Sequence, residues 1–158
     1  MVRYAKNEDL PIIRALYEDA RAFMKETGNP HQWTAPFPDP LLQEDIRKNR
    51  LFLIERNEKI CGVFYFFIGE DPTYQYIEGH WNSPSPYGAI HRITGAREER
   101  GIFKEAFDFC RTQIAHLRID THHDNKIMQH TLEKHGFEQC GIIYLEDGNP
   151  RIAYEFIT

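Results

Sequence analysis

The chain has 158 residues and a mass of 18.7 kDa, the length of one ordinary domain, and its 41% hydrophobic and 27% charged residues mark a globular chain rather than a disordered one. Nineteen lysines and arginines against 24 aspartates and glutamates leave a net charge of −5, which argues against a polybasic DNA coat or membrane binder, so neither nucleic acid nor a lipid surface is an expected partner. No apolar run approaches the ~18 residues of a membrane span, and the N-terminus has no secretory pattern, so a cytoplasmic protein is expected.

Val2 to Tyr4 alternates apolar and charged residues, as an opening strand would. Asn7 or Asp9 can then cap a helix in which Ile13, Leu16, Ala20, Phe23 and Met24 make one apolar stripe, ended by Gly28-Asn29-Pro30. His31 to Pro40, with Trp33 and Phe37, reads as an ordered loop with aromatic anchors. Asp39-Pro40 supplies a capping carboxylate and a first-turn proline to a short helix that buries Leu42 and Ile46.

The middle of the chain predicts strands. Leu51 to Glu55 and Ile60 to Ile68 flank a hairpin turn, and Tyr74 to Glu78 is a shorter run. After the loop Asn82 to Pro86, Tyr87 to Thr94 is another strand. A helix over Gly101 to Ala115 lines up Ile102, Phe103, Ala106, Phe107, Cys110 and Ile114, and a strand follows at Leu117 to Asp120. Asp124 caps a last helix, which Gly136-Phe137 ends by a left-handed glycine and an apolar fold-back. Strands at Gln139 to Tyr144 and Ile152 to Phe156 close the chain. The three cysteines, Cys61, Cys110 and Cys140, are widely spaced and read as reduced apolar side chains. The whole is an α/β (α+β) domain over 1–158, a mixed sheet with helices on its faces.

This order of elements and four local patterns resemble the GCN5-related N-acetyltransferase (GNAT) superfamily over nearly the whole chain. Glu98-Glu99-Arg100-Gly101-Ile102-Phe103 stands where the family has its acyl-CoA loop, and keeps only Gly101 of its pattern. Asn125 matches the asparagine that touches the cofactor. Leu132-Glu133-Lys134-His135-Gly136-Phe137 is similar to the family's Tyr-x-Lys-x-Gly-Phe, with Leu132 in place of the tyrosine acid. Trp81, Tyr87 to Ile93 and Cys140 to Tyr144 look like an uncharacterised bacterial subgroup. The resemblance implies a mostly antiparallel twisted sheet of about seven strands, with a central splayed parallel pair and about four helices on both faces. It also implies acetyl-CoA as co-substrate, with its pyrophosphate on the free N–H groups of a helix N-terminus. Ile93, Thr94, Arg97, Arg100, Gly101, Ile102, Phe103 and Asn125 are the expected cofactor residues. Arg97 and Arg100 would offset the Glu98 charge.

Acetyl transfer to an amine needs a proton acceptor and a polarised thioester carbonyl. In this family a backbone N–H polarises the carbonyl, here expected near Ile93 and Thr94. The base candidates are His91, whose reference pKa of ~6.5 suits the task, and Glu78, a carboxylate among tyrosines; Asp120 and His122 are weaker ones. Period two puts His91 and Arg92 on opposite faces unless a bulge intervenes. Arg92 can hold an acidic group of the acceptor or pair with Glu78. Trp33, Tyr76 and Trp81 are the expected acceptor-pocket aromatics. Tyr144 is a substitute acid. Adjacent residues cannot easily direct two ligands at one ion, so His122-His123-Asp124 is not expected to bind metal. The function this implies is direct transfer of acetyl to a primary amine of a small molecule or peptide, by a possible homodimer. The alternative is a GNAT-fold protein that no longer catalyses, and binds acyl-CoA, another anionic ligand or a protein partner.

Overall fold

A computed structural model describes all of residues 1–158. Its strands are β1 (Val2–Tyr4), β2 (Leu51–Arg56), β3 (Lys59–Ile68), β4 (Glu78–Gly79), β5 (Gly88–Gly95), β6 (His116–Thr121), β7 (Glu138–Tyr144) and β8 (Pro150–Ile157). Its helices are α1 (Leu10–Glu26), α2 (Asp39–Arg47), α3 (Ile102–Gln113) and α4 (Lys126–Lys134). The strands form one sheet in the order β1-β2-β3-β5-β6-β8-β7-β4. Every pairing is antiparallel except β5 with β6.

The period of the strands decides where the helices sit. Along β2, Leu51 and Leu53 point to one face and Phe52 and Ile54 to the other, and along β3 Val63 and Tyr65 oppose Phe64 and Phe66. The first set packs with Leu10, Ile13, Leu16 and Tyr17 of α1 and Leu42 and Ile46 of α2. The second packs with Ile102, Ala106, Phe107 and Cys110 of α3 and Leu132 of α4. Both faces are thus covered, and each fully buried Leu, Ile or Phe contributes roughly 1.5–3 kcal/mol.

The local signals that held were those of short range. Asn57 and Glu58 adopt φ of 51° and 64°, the two left-handed residues of a tight hairpin turn. At the end of α4 the Phe137 N–H reaches the Leu132 carbonyl (3.0 Å) and the Gly136 N–H reaches Glu133 (3.0 Å), with Gly136 at φ 91°. The mostly antiparallel sheet with its central parallel pair is as the resemblance implies, and its eighth strand is the two-residue β4, which pairs with β7. Three expectations need correction. The run Tyr74 to Glu78 is not a strand: Pro72–Tyr74 is a 3₁₀ turn capped by Asp71, and only Glu78 joins the sheet. Asp124 does not cap α4; the Oδ1 of Asn125 does, accepting from Met128 N (3.0 Å). Asp39 lies inside α2 behind Pro38 and binds Arg14 (2.9 Å) instead of the helix end.

Candidate active site

Strands β5 and β6 pair only from Gly88–Leu117 to Ile90–Ile119. Beyond Ile90 the two diverge, so the β6-facing edge of β5 from His91 to Thr94 has no strand partner. In the same stretch β5 carries a bulge. Val63 pairs with Thr94 and Tyr65 with His91, which leaves two β5 residues opposite one of β3. Arg92 takes the extra step at φ 50°, a conformation uncommon outside glycine. The Tyr17 hydroxyl fixes it by donating to the Arg92 carbonyl (2.9 Å). The bulge removes the period-two constraint: His91 and Arg92 line one cavity.

Two cavities meet at this split. One, of about 610 Å³, is lined by Trp33 and Phe37 of the ordered loop, Asp45 of α2, His91 and Arg92 of β5, Asp120 of β6 and Arg151 of β8. The other, of about 280 Å³, runs between α1, α3 and α4 past Thr94, Gly95, Ala96, Ile102 and Phe103. Met24, Ile93, Asn125 and Met128 belong to both walls.

His91 is held from two sides. Its Nε2 lies 2.6 Å from Asp71 Oδ2, and its Nδ1 lies 3.6 Å from Asp120 Oδ2. Burial alone would raise the Asp71 carboxyl, but the His91 and Thr73 hydrogen bonds outweigh it and hold the group below its usual range. An ionised carboxylate only accepts, so Nε2 carries the shared hydrogen, and in the neutral ring the lone pair is then on Nδ1. Tyr74 donates to Asp120 (2.7 Å). Its own proton is retained far above the ordinary range by burial and by the Asp120 and Asp71 charges. Behind these groups the Tyr87 hydroxyl accepts from Asp71 N (2.7 Å), and Trp81 Nε1 donates to the Tyr74 carbonyl (2.9 Å).

The smaller cavity has the parts expected of a diphosphate cleft and an unexpected charge. Gly101, in the left-handed region at φ 73°, starts α3, and the N–H groups of Ile102, Phe103 and Lys104 have no acceptor in the protein. The Phe103 ring packs against His135 (5.0 Å), Phe107 (5.9 Å) and Phe137 (6.1 Å), so it forms wall rather than plug. Glu98 is drawn off by Lys59 (3.3 Å). Arg97, however, is clamped by Asp19 (3.0 Å) and Glu26 (2.7 Å), and Glu99, bound to Arg56, stands in the wall. Arg100 and Gly101 lie outside the lining, and the Arg100 carbonyl accepts from Arg56 (2.8 Å).

Of the residues singled out in the sequence, His91, Arg92 and Trp33 share the larger cavity, and Ile93, Thr94, Arg97, Ile102, Phe103 and Asn125 share the smaller. Glu78, Tyr76 and Trp81 line neither. Sheet order explains Glu78: β4 is at the far edge, beyond β7, β8 and β6 from β5. Its carboxylate accepts from the exposed Tyr144 hydroxyl (2.8 Å), which removes Tyr144 from the cavities as well. Tyr76 stands 65% exposed beside Tyr144. Trp81 packs on Arg118 (4.1 Å) and supports Tyr74 from outside. Arg92 pairs with Asp45 (2.6 Å), not with Glu78. The ligand atoms of His122, His123 and Asp124 lie within 4.8 Å of one another. One ring nitrogen of that group is engaged, since His122 Nδ1 accepts from Asp124 N (3.0 Å).

Sequence reasoning missed Asp71, Asn29, Gln32 and Arg151. Asn29 is 3% exposed, lines the smaller cavity and has an unpartnered Oδ1. Gln32 Oε1 accepts from Asn29 (2.8 Å) and Asn125 (2.8 Å), and its carbonyl accepts from Arg151 (3.0 Å). Asp71-Pro72-Thr73 and Gly28-Asn29-Pro30 carried only turn signals; nothing in them marked a cavity wall.

No sequence-family model matches the chain, and no curated protein is similar to it in sequence. Solved structures are. A GNAT-family acetyltransferase of Streptococcus agalactiae is 26% identical with a TM-score of 0.86, over 100% of this chain and 95% of that one. A provisionally named acetyltransferase of Staphylococcus aureus is 27% identical with a TM-score of 0.69, over 99% of this chain and 98% of that one. A GNAT-family acetyltransferase of Listeria monocytogenes, 20% identical with a TM-score of 0.74 over 100% and 94%, shares the fold. With the split β5–β6 pair, the helix start beside it and these likenesses over the full length, the chain has the fold of the GNAT-family acetyltransferases and is similar to them from end to end.

Proposed function

We propose that the protein transfers the acetyl group of acetyl-CoA directly to a primary amine of a small molecule or peptide. The observation that carries this reading is the junction of two cavities at Ile93, beside an imidazole oriented by Asp71. Acetyl-CoA occupies the smaller cavity, its pyrophosphate on the N–H groups of Ile102 to Lys104 and a pantetheine amide N–H on Asn29 Oδ1. The acceptor occupies the larger. The amine nitrogen bonds to the carbonyl carbon, His91 Nδ1 takes the amine proton, and the C–S bond breaks to release thiolate. Asp120 then faces the imidazolium. Leu132 is fully buried and has no proton to give, so water protonates the thiolate.

The base assignment predicts that His91→Ala lowers kcat by about 100-fold or more, whereas Glu78→Gln leaves it unchanged. Release of coenzyme A thiol, followed with a thiol reagent, measures both. The reverse pattern would remove His91 from the chemistry.

The clamped Arg97 favours a second reading, a GNAT-fold protein that no longer transfers acetyl. A thermal-shift titration separates the two. A ligand at 100 times its Kd stabilises by about 2.7 kcal/mol, worth several degrees in a domain of this size. No shift at millimolar acetyl-CoA supports the second reading.

A further inference from the structure

Two arginines line the larger cavity in opposite circumstances. Arg92 pairs with Asp45 (2.6 Å), and its guanidinium lies against the rings of Tyr65 (4.8 Å) and Phe37 (5.4 Å). Its charge is answered within the protein. Arg151 is 6% exposed and has no carboxylate within 4 Å. Its guanidinium reaches only two backbone carbonyls, Pro150 (2.9 Å) and Gln32 (3.0 Å). Of its five N–H donors, three remain without an acceptor.

The nearby acids do not supply the missing partner. Asp120 pairs across the sheet with Ala153, two residues from Arg151, so the two side chains share a face. But Asp120 Oδ2 accepts from Tyr74 and faces His91. Asp147, in the β7–β8 turn, is engaged with Asn149 through N (3.0 Å) and Nδ2 (2.9 Å). Burial lowers the Arg151 pKa against the opposing charges of Asp120 and Asp147, and burial, with the Arg151 charge after it, holds His122 below its usual value. A buried cation without a contacting anion is costly to keep. Here it stands on a cavity wall, at the start of β8, with β6 between it and His91 on β5.

We propose that Arg151 is the anion-binding residue of the acceptor cavity, and that the acceptor is an amine carrying a carboxylate, a molecule of the amino-acid class. This rests on the acetyl-transfer reading above. The planar guanidinium fork matches a carboxylate. One unanswered charge suits a monoanion, whereas a phosphate dianion would call for a second cation. Strands lie ~4.8 Å apart, so the backbones of His91 and Arg151 are separated by more than two strand spacings, given the β5–β6 split and the two-residue offset along β8, a gap that inward side chains shorten. A compact amino acid spans that gap with its amine at His91 and its carboxylate at Arg151.

The experiment compares the twenty standard amino acids with their carboxamides, first by thermal shift on the free protein, then as acceptors with acetyl-CoA. At least one amino acid is expected to stabilise the protein and its amide to bind at least about tenfold more weakly. Arg151→Gln is expected to erase that difference, and Arg151→Lys to retain part of it. Circular dichroism checks that each variant is folded; if Arg151→Gln is not, the acid-to-amide ratio in the native protein decides the matter alone. Equal binding of acid and amide, binding of no amino acid, or a preference that survives in a folded Arg151→Gln overturns the proposal. Carboxylate-selective binding without thiol release would instead leave Arg151 as assigned and remove the transfer reaction.

Discussion

His91 was readable in the sequence because its residue type and its place on a central strand are local facts. Asp71 was not, because one carboxylate serves two ends. Its Oδ1 accepts from Thr73 N (3.0 Å) and Oγ1 (2.7 Å), the turn cap that Asp-Pro-Thr announces. Its Oδ2 binds an imidazole twenty residues away, which no short window contains. Replacing Asp71 with Asn puts a donor where only an acceptor fixes the tautomer. We expect Asp71→Asn to lower kcat by about tenfold or more with little change in the KM for acetyl-CoA, and steady-state kinetics reads both. A second carboxylate contributes to stability in acid. The Arg3 guanidinium, bound at 2.9 and 3.0 Å, and the Lys6 N–H hold Asp9 below its ordinary pKa against the opposing effect of burial. Its folded pKa is depressed, so its contribution is complete above the unfolded value near 3.8 and is lost as pH falls through the folded one. Melting temperatures of the native protein and Asp9→Asn should therefore differ at pH 6 and converge towards pH 2.

Elements were legible to the degree that their apolar pattern is complete within themselves. The alternation in β2 and β3 and the stripe of α3 name both the element and its buried face. Leu132 shows what such a position is worth: it is fully buried, and Leu132→Ala is expected to cost about 2–5 kcal/mol in urea unfolding. The bulge at Arg92 and the two-residue β4 were illegible, because each exists only against a partner strand. β4 approaches β7 so closely that a Cβ on Gly141, at φ 149°, would lie 2.1 Å from the Glu78 carbonyl oxygen. Gly141→Ala should therefore release β4 while β8 stays paired. Hydrogen exchange should speed up at residues 78–80 and not at 152–157; unchanged protection at 78–80 would contradict that picture.

At the scale of the molecule, the order of strands and helices was enough to indicate the fold, since short right-sized connections leave few arrangements. The larger cavity was not, because its wall is assembled from a loop, α2, β5, β6 and β8, and sheet order carries the tyrosine-rich run to the far edge. What the assembly adds is a shared hinge-post. The side chain of Gln32 grips Asn29 and Asn125 in the wall of the smaller cavity, and its main chain grips Arg151 in the wall of the larger. The two cavities thus lean on one glutamine, and on the proposed assignment of donor and acceptor neither subsite is loosened without the other feeling it. Trimming that amide to a methyl group should register in both Michaelis constants at once, and initial-rate kinetics should show the first ligand to arrive setting the affinity met by the second.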